Sequence, residues 1–387
     1  QTVLDFGIKK GMNKGLMSNI DLGIGNKDRY SARGMGGYFN NNNRFMLFGN
    51  ANNTSDRGFG GGGPRRGFGG GNGLNASKML AANYNYEEKN KFKFNTSLRW
   101  NHSDGDVWSR RSSENFMGSS SSFSNSLNQN FSRSDSWNGN IRLEWMPDTM
   151  TNILFRPSIS WTTNDSRSMG LSASFNQDPY QYTEDPLSDE GIEKMDEVDA
   201  VINRQKSVSL SYSKNNNIRG MLQLNRKLNN KGRNVTLRMD AKYTDKDSKS
   251  ISLQNAHLYL VQNEAGLDST YQTNRYNLTP SKDYSYSAQA TYSEPLWKAT
   301  FLQFSYKFTY SYSKSDRSTY RFDDYSFDGI TPVFRTWGSY LDRVGSNWED
   351  TKDDNLSKYS EYKNYTHDIQ VMMRFIRSKY NLNFGVM

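Results

Sequence analysis

From Leu302 to Ser313 apolar and polar residues alternate without a break. Leu302, Phe304, Tyr306, Phe308, Tyr310 and Tyr312 fall on one face; Gln303, Ser305, Lys307, Thr309, Ser311 and Ser313 fall on the other. A period of two is that of a β-strand, whose successive side chains point to opposite faces. Strands in soluble sheets usually run about 5–6 residues. This alternation is about twice as long, and its apolar face is mostly aromatic. It predicts a strand with one face in an apolar medium and the other in water. Phe304 and Phe308 should then meet lipid and Lys307 a watery lumen, because a cation at the bilayer midplane costs about 2–4 kcal/mol.

The pattern recurs along most of the chain. Apolar faces such as Ile20–Leu22–Ile24, Phe92–Phe94–Leu98–Trp100, Ile153–Phe155–Ile159–Trp161, Val235–Leu237–Met239 and Ile369–Val371–Met373 bring the predicted strands to thirteen, with the opening Thr2–Lys10 left out. Short polar turns fall at Asn40–Arg44, Glu87–Lys91, Pro147–Thr151, Asn229–Arg233, Glu294–Ala299 and Arg377–Tyr380. Between them lie stretches read as long loops at roughly 53–75, 103–136, 163–206, 245–283 and 314–366; the first such connection, Asn26–Arg29, is short. Short turns alternating with long loops is the pattern of an outer-membrane barrel, with the long loops outside. The fold expected is therefore all-β: an antiparallel transmembrane β-barrel, about 13 strands of a larger number, its edges unpaired with each other. The odd count, strand-like texture at both ends and the lack of a signal peptide suggest a piece of a longer protein.

Composition fits this picture. A mean hydropathy of −0.90 would suggest disorder, but 24 Tyr, 21 Phe and 8 Trp contradict it. A barrel around water needs only one apolar residue in two. No run approaches the ~20 apolar residues of a spanning helix. There are no cysteines, so disulfides and thiolate metal sites are excluded. The net charge of +9 is spread through turns and strands, which suits anionic lipid or polysaccharide better than nucleic acid.

The opening V-L-D-F-G-I-K-K-G-M-N-K-G, followed by L-G-I-G-N-K-D-R-Y-S-A-R-G-M-G-G-Y-F-N and R-F-M-L-F-G-N-A-N-N-T, resembles the passage from plug to barrel in TonB-dependent receptor-like outer-membrane proteins of Bacteroidota. The resemblance covers almost the whole chain from Val3 onward. It implies the end of a plug and connector at 1–14 and the N-terminal part of a barrel of about 22 strands at 15–387. It implies energised uptake of a solute such as a glycan, peptide or metal chelate. Its implied partners are outer-membrane lipid and lipopolysaccharide, an energy-coupling protein engaged through a segment that this sequence lacks, and a surface lipoprotein. No cofactor and no catalytic activity are expected. An adhesin or scaffold barrel is the alternative; a soluble propeller or solenoid ranks below both, because no fixed repeat period is present.

Candidate sites are few. The Gly-rich 57–73 segment lacks the Gly-Lys-Ser/Thr of a phosphate loop and reads as an outer loop, whose Arg65 and Arg66, with Arg57, Phe59 and Phe68, are candidates for an anionic or sugar ligand. The acidic 184–199 segment does not fit an EF-hand; Ile192, Met195, Val198, Val201 and Ile202 recur at helical spacing and predict a small amphipathic helix. His102, His257 and His367 form no triad in sequence. Trp100, Trp145, Trp161, Tyr292, Trp297, Tyr365 and Tyr380 belong at the membrane interfaces. Trp337, Tyr340 and Trp348, in the 314–366 stretch, suit either stacking on a ligand or packing of the loop.

Overall fold

The computed structural model describes residues 14–54, 73–117, 120–262, 264, 266–297, 299–327, 329–330, 338–376 and 381–386. They form one 14-stranded sheet. Its strands are β1 (Lys14–Ile24), β2 (Tyr30–Asn40), β3 (Asn43–Asn52), β4 (Gly73–Glu88), β5 (Phe92–Met117), β6 (Ser120–Asp148), β7 (Thr151–Phe175), β8 (Val201–Lys227), β9 (Asn234–Gln262), β10 (Asp268–Leu278), β11 (Ser281–Trp297), β12 (Thr300–Arg321), β13 (Lys358–Ile376) and β14 (Asn381–Val386). Helices α1 (Asp189–Asp196) and α2 (Gly338–Val344) lie in two of the connections. Neighbouring strands pair antiparallel throughout. The chain is thus all-β, an antiparallel meander consistent with a β-barrel wall.

β10 and β11 are two halves of one span. Leu278 faces Lys249 of β9 and Ser281 faces Lys246, in one continuous register. On the other side Leu278 faces Ser318 of β12 and Ser281 faces Ser315, again in step. Only Thr279 and Pro280 interrupt, and proline has no N–H for the ladder. Fourteen strands therefore occupy thirteen positions across the sheet. Among the described residues β1 and β14 each pair on one side only. With thirteen positions the two edges run in the same direction, so they cannot close on each other as an antiparallel pair.

The strands are far longer than the alternating apolar pattern predicts. β5, β6, β7, β8 and β9 contain 26, 29, 25, 27 and 29 residues. Most of the expected loop at 103–136 is the far half of the β5–β6 hairpin, paired from Ser103↔Ser134 to Met117↔Ser120. The expected loops at 163–206, 245–283 and 314–366 shrink in the same way, to 176–200, 263–267 and 322–357. The reason is solvent. In the β5–β6 hairpin above the apolar band both faces carry mainly Ser, Asn and charge, as in S-S-S-F-S-N-S-L-N-Q-N for Ser120–Asn130, so no long apolar face marks it as a strand. The far end of β7 does alternate, as Met169–Leu171–Ala173–Phe175, but on the face that packs against the 176–200 connection.

The short turns at Asn40–Arg44, Glu87–Lys91, Pro147–Thr151, Asn229–Arg233 and Glu294–Ala299 fall between paired strands at one end of the sheet, while Arg377–Tyr380 lies outside the described residues. Asn41 and Asn90 take φ of 51° and 62° there, a left-handed conformation that a short polar side chain tolerates. Gly232 at φ 105° is needed for itself and for its neighbour, because a Cβ would stand 2.7 Å from the Phe301 ring.

The apolar face forms a band of constant height. Trp145↔Phe92 and Trp145↔Ile153 mark its lower edge; Trp100↔Trp137 and Trp137↔Trp161 mark its upper edge. Phe92–Trp100, Trp137–Trp145 and Ile153–Trp161 are each nine residues long, within the ~9–11 that a tilted strand needs to cross a bilayer. The band's side chains point away from protein: Ile159 is 55% exposed, Met239 57% and Phe304 45%. Tyr284, Tyr286, Tyr310 and Tyr365 cluster farther round its upper edge, with ring centroids 4.9–6.0 Å apart. On the opposite face Ser305 is buried and takes the amide of Gln289 at 2.9 Å, and Lys307 shares that face, as the alternation predicts. One defect interrupts the band: the β6–β7 register skips Ile141 and Arg142, opposite Arg156 and Pro157.

Candidate functional site

The polar face is the surface most suited to a solute. Strand alternation puts Ser, Asn, Gln and Thr across it, with Arg99, Arg142, Arg156, Arg219, Arg238, Lys242 and Lys307 among them at band height. Some of this charge is neutralised locally. Arg238 forks both oxygens of Asp240 at 2.8 and 2.9 Å, and Arg142 reaches Glu144 at 3.1 Å. Two adjoining pockets open on this face. One, of about 540 Å³, runs from Arg99 across Asn138 and Ser160 to Arg219. The other, of about 270 Å³, runs from Arg156 and Arg219 across Lys242 to Ser285 and Thr309. The loop-centred sequence reading missed these residues. The available signal is an arginine at a polar-face position inside a nine-residue stretch whose other face is apolar.

The loops lie elsewhere. Leu210, Ile251, Tyr276 and Tyr320 share a sheet face with Ile218, Tyr243, Tyr284 and Tyr312 of the band, because no register shift falls between these two rows; the shifts at Asp268/Ser269 and Pro295/Trp297 lie outside them. The 322–357 connection packs on that face, above the band, through Phe322 and Tyr340. Asp323 fastens it. The Asn274 N–H donates to Oδ1 at 2.7 Å, the Arg275 guanidinium joins the same oxygen, and Arg321 reaches Oδ2 at 3.1 Å. Burial opposes the Asp323 carboxylate, but these donors outweigh it and hold its pKa below the usual range. Tyr276 beneath is pushed up to about 12, first by burial and then by Tyr320. The 176–200 connection packs likewise, with Ile192 and Met195 of α1 against Ala173 and Val201. Ser188 caps α1, accepting from the Gly191 N–H at 3.0 Å. The predicted amphipathic helix is present at Asp189–Asp196 with Ile192 and Met195, but Val198 lies beyond its end and Val201 and Ile202 belong to β8.

Of the candidate ligand residues, Tyr340 is 1% exposed inside this cluster and offers no ring face to a ligand. Trp348 packs edge-on to Tyr276 and Tyr320, with centroids at 5.4 and 4.9 Å. Arg65, Arg66 and Trp337 lie outside the described residues, as does Tyr380.

The three histidines stand on three strands. His367 Nδ1 meets the Tyr306 hydroxyl at 2.9 Å, and His257 Nε2 meets Asp268 at 3.1 Å. His102, one step above Trp100, is held at both nitrogens: Nδ1 by Asp135 at 2.7 Å and Nε2 by Asp104 at 2.8 Å. A neutral imidazole has a single N–H, so two carboxylate acceptors require the imidazolium. Burial works against that charge, yet the bonds and charges of Asp135 and Asp104 prevail and the pKa is raised. The stabilisation should be complete below the unfolded pKa near 6.5 and fade as pH rises through the higher folded value. Proteolytic stability of the β5–β6 hairpin, followed from about pH 5 to pH 9, should fall in the native protein and stay flat in His102→Gln. Parallel curves would refute the clamp.

No family model matches the chain, and no curated protein matches it. Among solved structures it is similar to the copper transporter OprC at 7% identity and a TM-score of 0.20, over 96% of this chain and 74% of that one. A score this low carries no argument about either fold or function.

Proposed function

We propose that this chain is part of the wall of an outer-membrane receptor that takes up a solute from outside the cell, with uptake energised by a TonB-type partner. The observation that supports it is the nine-residue apolar band bounded by Trp100, Trp137 and Trp161 above and Trp145 below, backed by a continuous hydrophilic face. A soluble sheet gains nothing from exposing Ile159, Met239 and Phe304 in register, whereas a bilayer repays each of them. The short turns then face the periplasm and the long connections face outside. The TonB partnership rests on the sequence resemblance alone. Adhesion through a barrel that only anchors its loops is the second reading, and the pocketed, cationic polar face favours transport over it.

Orientation can be tested directly because the chain has no cysteine. Asp354→Cys, in an exposed part of the 322–357 connection, should react with a membrane-impermeant thiol reagent on intact cells. Lys89→Cys, in a short turn, should react only after permeabilisation. The reverse pattern would overturn the assignment of the solute-facing end; equal labelling of both would overturn the membrane reading itself.

A further inference from the structure

The polar wall carries a repeated device. Arg99 on β5 donates its Nε–H to Asn101 Oδ1 at 2.8 Å, and Asn101 donates to Ser136 Oγ on β6 at 3.3 Å. Arg219 on β8 donates its Nε–H to Asn217 Oδ1 at 2.9 Å, and Asn217 donates to Thr244 Oγ1 on β9 at 2.9 Å. In each case an asparagine two positions along the strand occupies Nε and is itself fixed by a hydroxyl on the next strand. The terminal nitrogens are left over, and they form the fork that grips a carboxylate or sulfate with two parallel bonds. Among the described residues neither arginine has an ion-pair partner.

Both forks border the same 540 Å³ pocket, whose floor is hydroxyl and amide: Asn138, Asn140, Ser158 and Ser160. Asn215, also on its lining, keeps a buried Oδ1 with no hydrogen-bond partner, an acceptor placed to receive a hydroxyl from a ligand. Arg219 stands directly opposite Lys242 across the β8–β9 ladder. Like charges so placed cost stability, and an anion between them would remove that cost. The one carboxylate in the adjoining pocket, Asp240, is already taken at both oxygens by Arg238. Arg99 and Arg219 lie three strand spacings and two residues of register apart, roughly 16 Å between backbones, which is long for a single small anion and suits a chain of linked units.

We propose that the two pockets are a subsite for an acidic oligosaccharide. Its carboxylate or sulfate groups dock on the Arg99 and Arg219 forks, with Lys242 and Arg156 extending the track, while its hydroxyls meet the Ser/Asn floor. This deepens the uptake reading above and rests on it only for the direction of transport, because binding is measured without energy input. The intact protein, purified from outer membranes in detergent, is titrated by calorimetry with an oligogalacturonate and with the neutral galactose oligomer of the same length. The acidic oligomer should bind at least about tenfold tighter. Arg99→Gln and Arg219→Gln should each weaken it about tenfold or more while leaving the heat-modified gel shift of the folded barrel intact. Arg219→Lys should recover part of the loss, since it restores the charge without the fork. Binding of the acidic oligomer that is unchanged in both Gln variants, equal binding of the neutral oligomer, or no binding of either would overturn the proposal. Binding that follows these expectations in cells that do not accumulate the oligomer would leave the subsite standing and remove the uptake reading instead.

Discussion

Met239→Arg should destabilise the wall in a lipid bilayer by about 2–4 kcal/mol, whereas Ser287→Arg should change it by less than about 0.5 kcal/mol. Both positions lie at band height on adjacent strands. Met239 is on the apolar face, 57% exposed, opposite Leu222 and Ala288. Ser287 is on the polar face opposite Asp240 and Thr309. One β-carbon direction separates them, so propensity, strand position and local twist are matched, and the difference isolates the medium that each face meets. Denaturant titration in vesicles, read by tryptophan fluorescence, gives both values from the shift in midpoint. Equal costs would mean that the apolar face is not in lipid, and the membrane reading would fail with it.

Phe322→Ala should free the 322–357 connection from the sheet without dissolving the sheet beneath. Phe322 is wholly buried, with ring centroids 6.2 Å from Tyr276, 6.3 Å from Tyr325 and 6.1 Å from Phe327. Removing such a ring typically costs about 3–5 kcal/mol through lost burial and the cavity left behind. The cost should fall on the cluster that includes Tyr340, whose buried members are Leu210, Ile251, Tyr276, Tyr320, Phe322 and Tyr340, all above the band. Limited proteolysis should then cut within 338–357 many times faster while fragments containing β5–β9 stay protected. Unchanged cleavage, or collapse of the whole protein to small peptides, would show that the cluster is not a separate unit.

The apolar part of each span is legible in the sequence because an apolar medium on one face would impose a rule on every second residue. Leu302 to Tyr312 or Ile153 to Trp161 can be assigned to a face by counting. The rule lapses above the band: the upper hairpin of β5 and β6 is polar on both faces, and one face of β10 is covered by the 322–357 connection through Tyr276, so both read as loop. The thirteen positions were countable nonetheless, since each span passes through the band once. The site is harder to read. That Arg219 meets Lys242 depends on the register between β8 and β9, fixed by the 228–233 turn and not by either strand alone. Tyr340 shows the converse limit: an aromatic residue in a polar loop reads equally well as a platform for sugar or as packing, and its burial beside Phe327 is visible only in the folded chain. The acidic 184–199 segment was readable because helical spacing of Ile192 and Met195 is a local property.

The gap beside Pro157 gives the wall a preferred line of failure. Elsewhere at band height, among the described residues, each strand between the two edges is stitched to both neighbours, and in a bilayer every stitch would be costly to undo because no water waits to replace it. Between β6 and β7 a stitch is already missing, and lipid offers nothing in exchange. Amide protons flanking Ile141 and Arg142 should therefore exchange with deuterium sooner than those at the same depth on β8 and β9. Under sideways load, as when lipid or a neighbouring protein presses on the wall, the sheet should begin to unzip along this seam.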